Sequence, residues 1–405
     1  MRACFLVALL FVAVTPAHSE TSMTLAQAFA AAWQRQPAAQ ALAERERAAQ
    51  SRRQAADAWS PEPPSIELGT RSDRFNNNRG ALEQEVGLVL PLWLPGERGG
   101  AQALAEAEGA ALKQRAAALR LQFAGEVRQS WWAWQMARNE QDLAAIRVAG
   151  ATKLRGDVAR RVAAGDLSRA DQHQADGALA SAQALAAETE AAAESARFRL
   201  LSLIGIPLSE TSLQAELAVP PVVDSDALKN HPALLDLENR SLVSQQSLDL
   251  ARARNRANPE VALSTRRERA VSGDAMDQTW ALSLRIPFSS GARNDARLAE
   301  ANADLIESRS QYEFDQARLV QQLASARSQV LTARNLLNAA ETRARLAAEN
   351  RGFFDKSFRL GETDLPTRLR IELEAFEAER QAGRARINLA QSHSAYRQAL
   401  GLLPE

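Results

Sequence analysis

A place where side chains with metal or acid–base chemistry cluster is His173, with Asp171 and Asp176 close by. Offsets of two and three put at most one of these carboxylates on the imidazole's face of a helix, and no second His or Cys completes a metal set, so the group reads as solvated helix surface. Trp131, Trp132 and Trp134 could stack on a ligand, but three indoles in the middle of a long helical segment read as packing against neighbouring helices. No G-x-S-x-G, phosphate loop or paired-His motif occurs, which leaves no catalytic, cofactor-binding or metal-binding candidate. What remains are polar groups at two helix breaks, RRVAAGDLSRADQHQA at 160–175 and FRLGETDLPTRLR at 358–370. Gly165 and Gly361 can take the left-handed conformation that ends a helix. Asp166, Ser168, Thr363 or Asp364 can accept from the free N–H groups that begin the next one, and Pro366 is tolerated in a first turn. Each break is therefore a hairpin tip, and the elements around it must be long helices.

Those elements come twice, at a shift near 196 residues. Gln36-Pro37 matches His231-Pro232, and the segment Pro64–Arg71 matches Pro259–Arg266, both at 195. Pro91 matches Pro287, Gly165 matches Gly361 and Gly205 matches Gly401, all at 196. Each copy has the order helix, strand pair, very long helix, Gly break, return helix. The first helix is expected from Thr24 to Trp59, closed by Pro61-Glu-Pro-Pro64. Strands are expected at 65–73, 83–92, 259–268 and 278–288, and long helices at 97–164 and 292–360. At about 1.5 Å per residue the long helices span on the order of 100 Å. Leu298, Leu305, Tyr312 and Leu319 step by seven, Leu323, Val330 and Leu337 do so in a shifted frame, and Leu365, Leu369, Leu373, Phe376, Ile387 and Ala390 form a stripe on the return helix. Such stripes specify coiled-coil seams.

Strand residues alternate. Val86, Leu88, Leu90 and Leu92 share one face, and Trp280, Leu282, Leu284, Ile286 and Phe288 share another, each opposed by a mixed or polar face. A half-buried soluble strand and a lipid-facing barrel strand both look like this. Trp93, Trp280 and Phe288 near expected strand ends tip the reading toward a barrel with interfacial rings.

Residues 1–19 carry Arg2, the apolar run Cys4–Val14 and small residues at Ala17 and Ser19, the pattern of a signal peptide cleaved before Glu20. Cys4 is the only cysteine, so the mature chain is expected to have no disulfide and no lipidated cysteine. Beyond the signal no apolar run reaches the roughly 18 residues of a spanning helix, so a bilayer would be crossed by strands. Lys plus Arg and Asp plus Glu both total 49, which provides no field to recruit nucleic acid. The domain layout reads as 1–19 signal peptide, 20–207 first repeat, 208–230 Pro- and Ser-rich linker, and 231–405 second repeat.

Four strands cannot close alone, and single-chain bacterial barrels start at about eight. Two chains would give an interior filled by side chains; three would leave room for solutes. Stacked end to end, the first and return helices nearly match the long helix, which suits a cylinder wall.

These pieces resemble the TolC-type outer-membrane efflux proteins. The resemblance is carried by TLAQAFAAAWQRQPAAQALAERERAAQSRRQAA at the start, LPLWLPGERGGAQALAEAEGA leading into the long helix, and the tips AAGDLSRAD and RLGETDLPT, in order across essentially the whole mature chain. It implies a mainly α protein with a small β part: a homotrimer in the outer membrane, whose lipid-embedded β-barrel takes four strands per chain and continues into a long periplasmic α-helical barrel. It further implies a passive conduit partnered by a periplasmic adaptor and an inner-membrane pump of the RND type, which supplies the energy. The short end at Pro404-Glu405 is similar to the cobalt–zinc–cadmium resistance branch, implying heavy-metal cations as cargo. The adaptor contacts implied are Ala164, Gly165, Asp166, Leu167 and Ser168 at one tip, and Leu360, Gly361, Glu362, Thr363, Asp364 and Leu365 at the other. Asp364 also matches the first of two entrance aspartates found in some members; Thr367 stands at the second. The competing reading is a periplasmic coiled-coil adaptor or scaffold without a pore, although such proteins usually carry one hairpin where this chain has two.

Overall fold

The computed structural model describes residues 23–207, 216, 228–288 and 291–405. The expected signal peptide with Cys4, and most of the linker, lie outside the described residues.

Thr24 opens the first helix with a reciprocal cap: its hydroxyl accepts from Gln27 N–H at 3.2 Å, and its own N–H donates to the Gln27 side chain at 3.0 Å. The single helix expected to run from Thr24 to Trp59 is instead three pieces, α1 (Leu25–Arg35), α2 (Pro37–Gln40) and α3 (Leu42–Ala56). Pro37 separates α1 from α2: the residue before a proline is pushed out of the α region, and Gln36 is extended at φ −67°, ψ 131°, whereas α2 and α3 are parted only by Ala41, which stays in the αR region. Strands β1 (Ser65–Ser72) and β2 (Leu82–Pro91) follow, then α4 (Glu97–Ala163) and α5 (Arg169–Ile204). The second copy gives α6 (Pro232–Ala253), β3 (Glu260–Arg269), β4 (Asp277–Arg285), α7 (Gly291–Leu360) and α8 (Leu365–Ala399). Pro232 occupies the first turn of α6, as Pro37 does of α2.

Both strand pairs join in one antiparallel sheet of order β1-β2-β3-β4, so the two copies meet at the β2–β3 ladder and, among the described residues, β1 and β4 are open edges. The junction is fixed by Glu97, almost wholly buried, which accepts from Leu94 N–H, from Arg254 at 2.7 Å and from Asn258 at 2.6 Å.

Below the sheet the helices form a curved wall. Nearest the sheet α3 packs on α4, α4 on α6 and α6 on α7; nearer the tips α5 packs on α4, α4 on α8 and α8 on α7. The upper and lower helices meet end to end where Leu25 and Phe29 of α1 share a cluster with Leu200 and Ile204 of α5. Trp131, Trp132 and Trp134 belong to this same core, and Trp131 and Trp134 meet edge-on at 6.3 Å, so they are packing residues. The seven-residue stripe on α7 packs as expected at Leu305 and Leu319. On α8 the stripe holds at Leu365 and Phe376, but Leu373 is exposed and the buried face includes Ile371, Ala375, Ala378 and Ala382. A stripe of large apolar residues overlooks alanines, whose small side chains let helices approach closely.

Candidate functional site: hairpin tips, conduit wall and sheet

At the first tip the chain closes α4 with Gly165 at φ +85°, and the N–H groups of Gly165 and Asp166 donate to Val162 O at 3.0 Å and Arg161 O at 2.8 Å. Ser168, rather than Asp166, then caps α5. Its hydroxyl accepts from Asp171 N–H at 3.2 Å and its N–H donates to the Asp171 carboxylate at 2.9 Å. The Ser168 hydroxyl and N–H hold the Asp171 carboxyl below its ordinary pKa. The second tip repeats the turn with Gly361 at φ +81°, bonding Gly361 N–H to Phe358 O and Glu362 N–H to Ser357 O. Asp364, rather than Thr363, caps α8 by accepting from Thr367 N–H at 3.3 Å, with Pro366 in the first turn. Asp364 is exposed, so it both caps a helix and presents a carboxylate at the hairpin tip.

The two tips are bound to each other. Arg161 of α4 donates to Phe358 O at 2.9 Å, and its guanidinium lies 5.0 Å from the Phe358 ring centre. Arg368 of α8 covers the same ring at 4.8 Å and pairs with Asp355 at 2.6 Å. Beneath this sandwich Leu154, Val158, Ala175, Phe358 and Leu365 form a buried core, with Leu167 partly buried against it. Leu365 is 1% exposed, so its side chain holds the tip together, whereas Ala164, Gly165, Asp166, Ser168, Leu360, Gly361 and Glu362 are exposed and Thr363 is half-buried. Just above the tips a cleft of about 640 Å³ separates the hairpins, with Ile146, Leu373 and Phe376 among apolar lining residues and Arg147, Arg160 and Arg351 among basic ones. Sequence reasoning missed this cleft, because it forms only where α4 and α8 meet. His173 is exposed on α5, and the nearby Asp176 is engaged by Arg155 at 2.7 Å.

The sheet has two unlike faces. On one, the register places Ile66, Leu88, Leu263 and Leu282 in a row, and Leu68, Val86, Thr265 and Trp280 in the next. This face is uncovered: Leu68 is 77% exposed, Leu282 76% and Trp280 68%. On the other face Arg71 pairs with Glu83 at 3.0 Å, and Arg266 reaches Glu83 at 3.1 Å and Glu85 at 3.4 Å. Each large apolar side chain left in water forgoes roughly 1.5–3 kcal/mol of burial, so a contiguous face of them belongs against another apolar phase. Two aromatic placements differ from expectation. Trp93 is half-buried and donates from Nε1 to Ala58 O at 3.1 Å, so its indole N–H is engaged within the fold; Trp280 stands within β4 instead of at its end. Among the described residues no helix is long and apolar enough to cross a membrane.

No family model and no curated protein sequence matches the chain. Solved structures do. A membrane protein from Pseudomonas aeruginosa aligns with a TM-score of 0.75 at 20% identity, covering 94% of this chain and 90% of that one. CusC, from a structure describing transmembrane channel formation, aligns at 0.75 and 16% identity, covering 93% and 92%. The Campylobacter jejuni CmeC outer membrane channel aligns at 0.76 and 14% identity, covering 93% and 85%. The chain therefore has the fold of TolC-like outer-membrane channel subunits, mainly helical with a small four-stranded antiparallel sheet.

Proposed function

We propose that this protein is the outer-membrane channel subunit of a tripartite efflux system. Three copies pool their strands into a β-barrel and their curved helical walls into a periplasmic conduit. One observation carries the reading: a sheet whose uncovered face is apolar, whose opposite face is ionic, and whose β1 and β4 edges are both unpaired among the described residues. In lipid every backbone donor and acceptor needs a partner, so such edges must be paired by further copies. The subunit needs no catalytic group, because the conduit is passive and the energy comes from an inner-membrane pump of the RND type.

A periplasmic adaptor is proposed to dock at the two tips. The exposed Leu360, Glu362, Asp364, Gly165, Asp166 and Ser168, and the apolar, arginine-rimmed cleft above them, support that reading. Heavy-metal cations are the proposed cargo, on the resemblance to the cobalt–zinc–cadmium resistance branch. Purification from membranes, followed by mass determination in detergent and bilayer recording, tests the core of the proposal. A conducting trimer is expected; a monomer with no lipid-embedded sheet refutes it and favours a pore-less scaffold. Metal tolerance in cells carrying the chain with its own pump and adaptor tests the cargo separately, and tolerance unchanged by deleting the chain removes it.

A further inference from the structure

The concave side of the wall near the sheet holds a cavity of about 850 Å³ that touches α3, α4, α6 and α7 at once. Four neighbouring helices that line one cavity turn the same side toward it, which in the proposed conduit is the inner side. Its lining is a duplicate: Arg45 and Arg240 are equivalent at the 195-residue shift, as are Ala49 and Ser244, while Glu108 and Asp304, and Arg115 and Gln311, are equivalent at 196. The same face of both copies therefore points inward.

Charge on this face is segregated by level. Arg52 of α3 pairs with Glu108 of α4 at 3.3 Å, and Asp304 and Glu307 of α7 add two more carboxylates. Seven residues further along α4, about 10 Å from Glu108, stands Arg115. It and Arg240 both donate to Asp236 Oδ2, at 3.2 Å and 2.7 Å, and Arg45 adds a third guanidinium. Asp236 is almost wholly buried and its Oδ1 has no partner among the described residues, so its carboxylate anchors arginines whose own side chains remain about half exposed. Burial pushes the Asp236 pKa up, against the pull of Arg115. One level thus carries three carboxylates against one guanidinium, and the next carries three guanidiniums against one carboxylate.

Resting on the proposed trimeric conduit, we infer that Arg45, Arg115 and Arg240 form a basic collar around the lumen that gathers small anions, stacked beneath a carboxylate collar of Glu108, Asp304 and Glu307. Closure of three copies about one axis repeats each level three times, and low-dielectric walls focus the field of each. The collars act over about a Debye length, near 8 Å at physiological salt and 30 Å at 0.01 M, so their effect is large only in dilute salt.

The mature chain is expected to have no cysteine, so Leu237→Cys, one turn from Arg240 and lining the same cavity, supplies a single reporter thiol. In the purified, membrane-extracted protein, this thiol is treated with a sulfonate-bearing and with an ammonium-bearing thiosulfonate reagent. Each rate is divided by that for a free thiol, which removes the reagents' intrinsic difference. At about 10 mM salt, where the Debye length is longest, the anionic reagent is expected to react several-fold faster. The preference should disappear in 1 M salt and in the L237C/R45Q/R240Q variant. The salt titration on L237C alone needs no arginine replacement and so stands even if that variant misfolds. Equal normalised rates at low salt, or a thiol that neither reagent reaches, overturn the collar. Mass in detergent and bilayer conductance of the same preparation separate the cases. A conducting trimer without the preference sinks the collar alone, whereas a non-conducting monomer sinks the conduit and the collar with it.

Discussion

Arg128 of α4 grips Glu216 in a two-point fork, Nη2 to Oε1 at 2.7 Å and Nε to Oε2 at 3.1 Å, with both side chains almost fully buried. Glu216 comes from the segment between the two copies, and Ser394 of α8 donates to it from the other side. Arg128 also donates to Leu402 O at 3.0 Å, so one carboxylate and one guanidinium bind the linker, the long helix of copy one and the chain's C-terminal end. Removing one partner leaves the other buried and uncompensated, at a cost of about 3–5 kcal/mol. Glu216→Ala is expected to lower the melting temperature of the helical signal sharply, measured by circular dichroism in detergent. A melting temperature unmoved by the substitution would show that the pair contributes nothing.

Stability is expected to fall on the acid side of neutrality through His231. Its Nδ1 accepts from Ala233 N–H at 3.3 Å as the cap of α6, a role only the neutral ring can fill, and the residue is 3% exposed. Burial lowers its pKa, so between that lowered value and the ordinary 6.5 or so the unfolded state binds more protons than the folded one. The contribution is fully present above about 6.5 and is lost as pH falls below it, by at most roughly 1.4 kcal/mol per pH unit. His231→Asn keeps a capping side chain that does not titrate, so unfolding curves from pH 7.5 to 5.5 should be flatter for the variant. Parallel curves would assign the acid loss to other groups.

The two sheet faces make opposite forecasts. Leu282→Arg places a charge on the uncovered apolar face, where a cationic side chain near the bilayer midplane costs about 2–4 kcal/mol. Ala281→Arg, the next residue on β4, points to the ionic face. Yield of assembled protein in membranes should drop for the first and stay near wild type for the second. Equal yields would contradict a lipid-facing apolar surface.

At the tips, Gly361→Ala tests the turn alone. No atom lies within 4 Å of an added Cβ, so only the left-handed backbone at φ +81° resists, at about 1–2 kcal/mol. A correspondingly small fall in thermal stability is expected, with oligomeric mass unchanged; no fall at all would mean the turn relaxes freely.

Asp364→Asn isolates charge from capping, since asparagine caps helices about as well as aspartate. If Asp364 lines the conduit's entrance, the variant should lose cation preference in bilayer recordings at low salt while its thermal stability stays near wild type. Selectivity identical to wild type would reduce Asp364 to its cap.

The order of elements, both tips and their capping chemistry, and the two-fold repetition were legible in the chain alone. Glycine's access to positive φ, proline's lack of an N–H and the periods of helix and strand act locally and leave local marks. Even so, Pro37 broke a helix that the pattern ran through, because its ring pushes Gln36 out of the α region. Leu365, which stood both on the apolar stripe of the return helix and among the adaptor contacts implied by the resemblance, is core, because α4, α5 and α7 converge on it.

Alternation of Val86, Leu88 and Leu90 was equally compatible with a buried and a lipid-facing strand; only the assembled sheet showed that Leu68, Leu282 and Trp280 on that face are uncovered among the described residues. The same holds for the paired arginines at 45 and 240. Their 195-residue spacing was present in the sequence, but that they face one cavity depends on the curvature of the wall, which arises from packing among four helices distant in the chain. Local backbone chemistry fixed what each segment became, and long-range packing fixed which of its faces were buried and which stayed exposed.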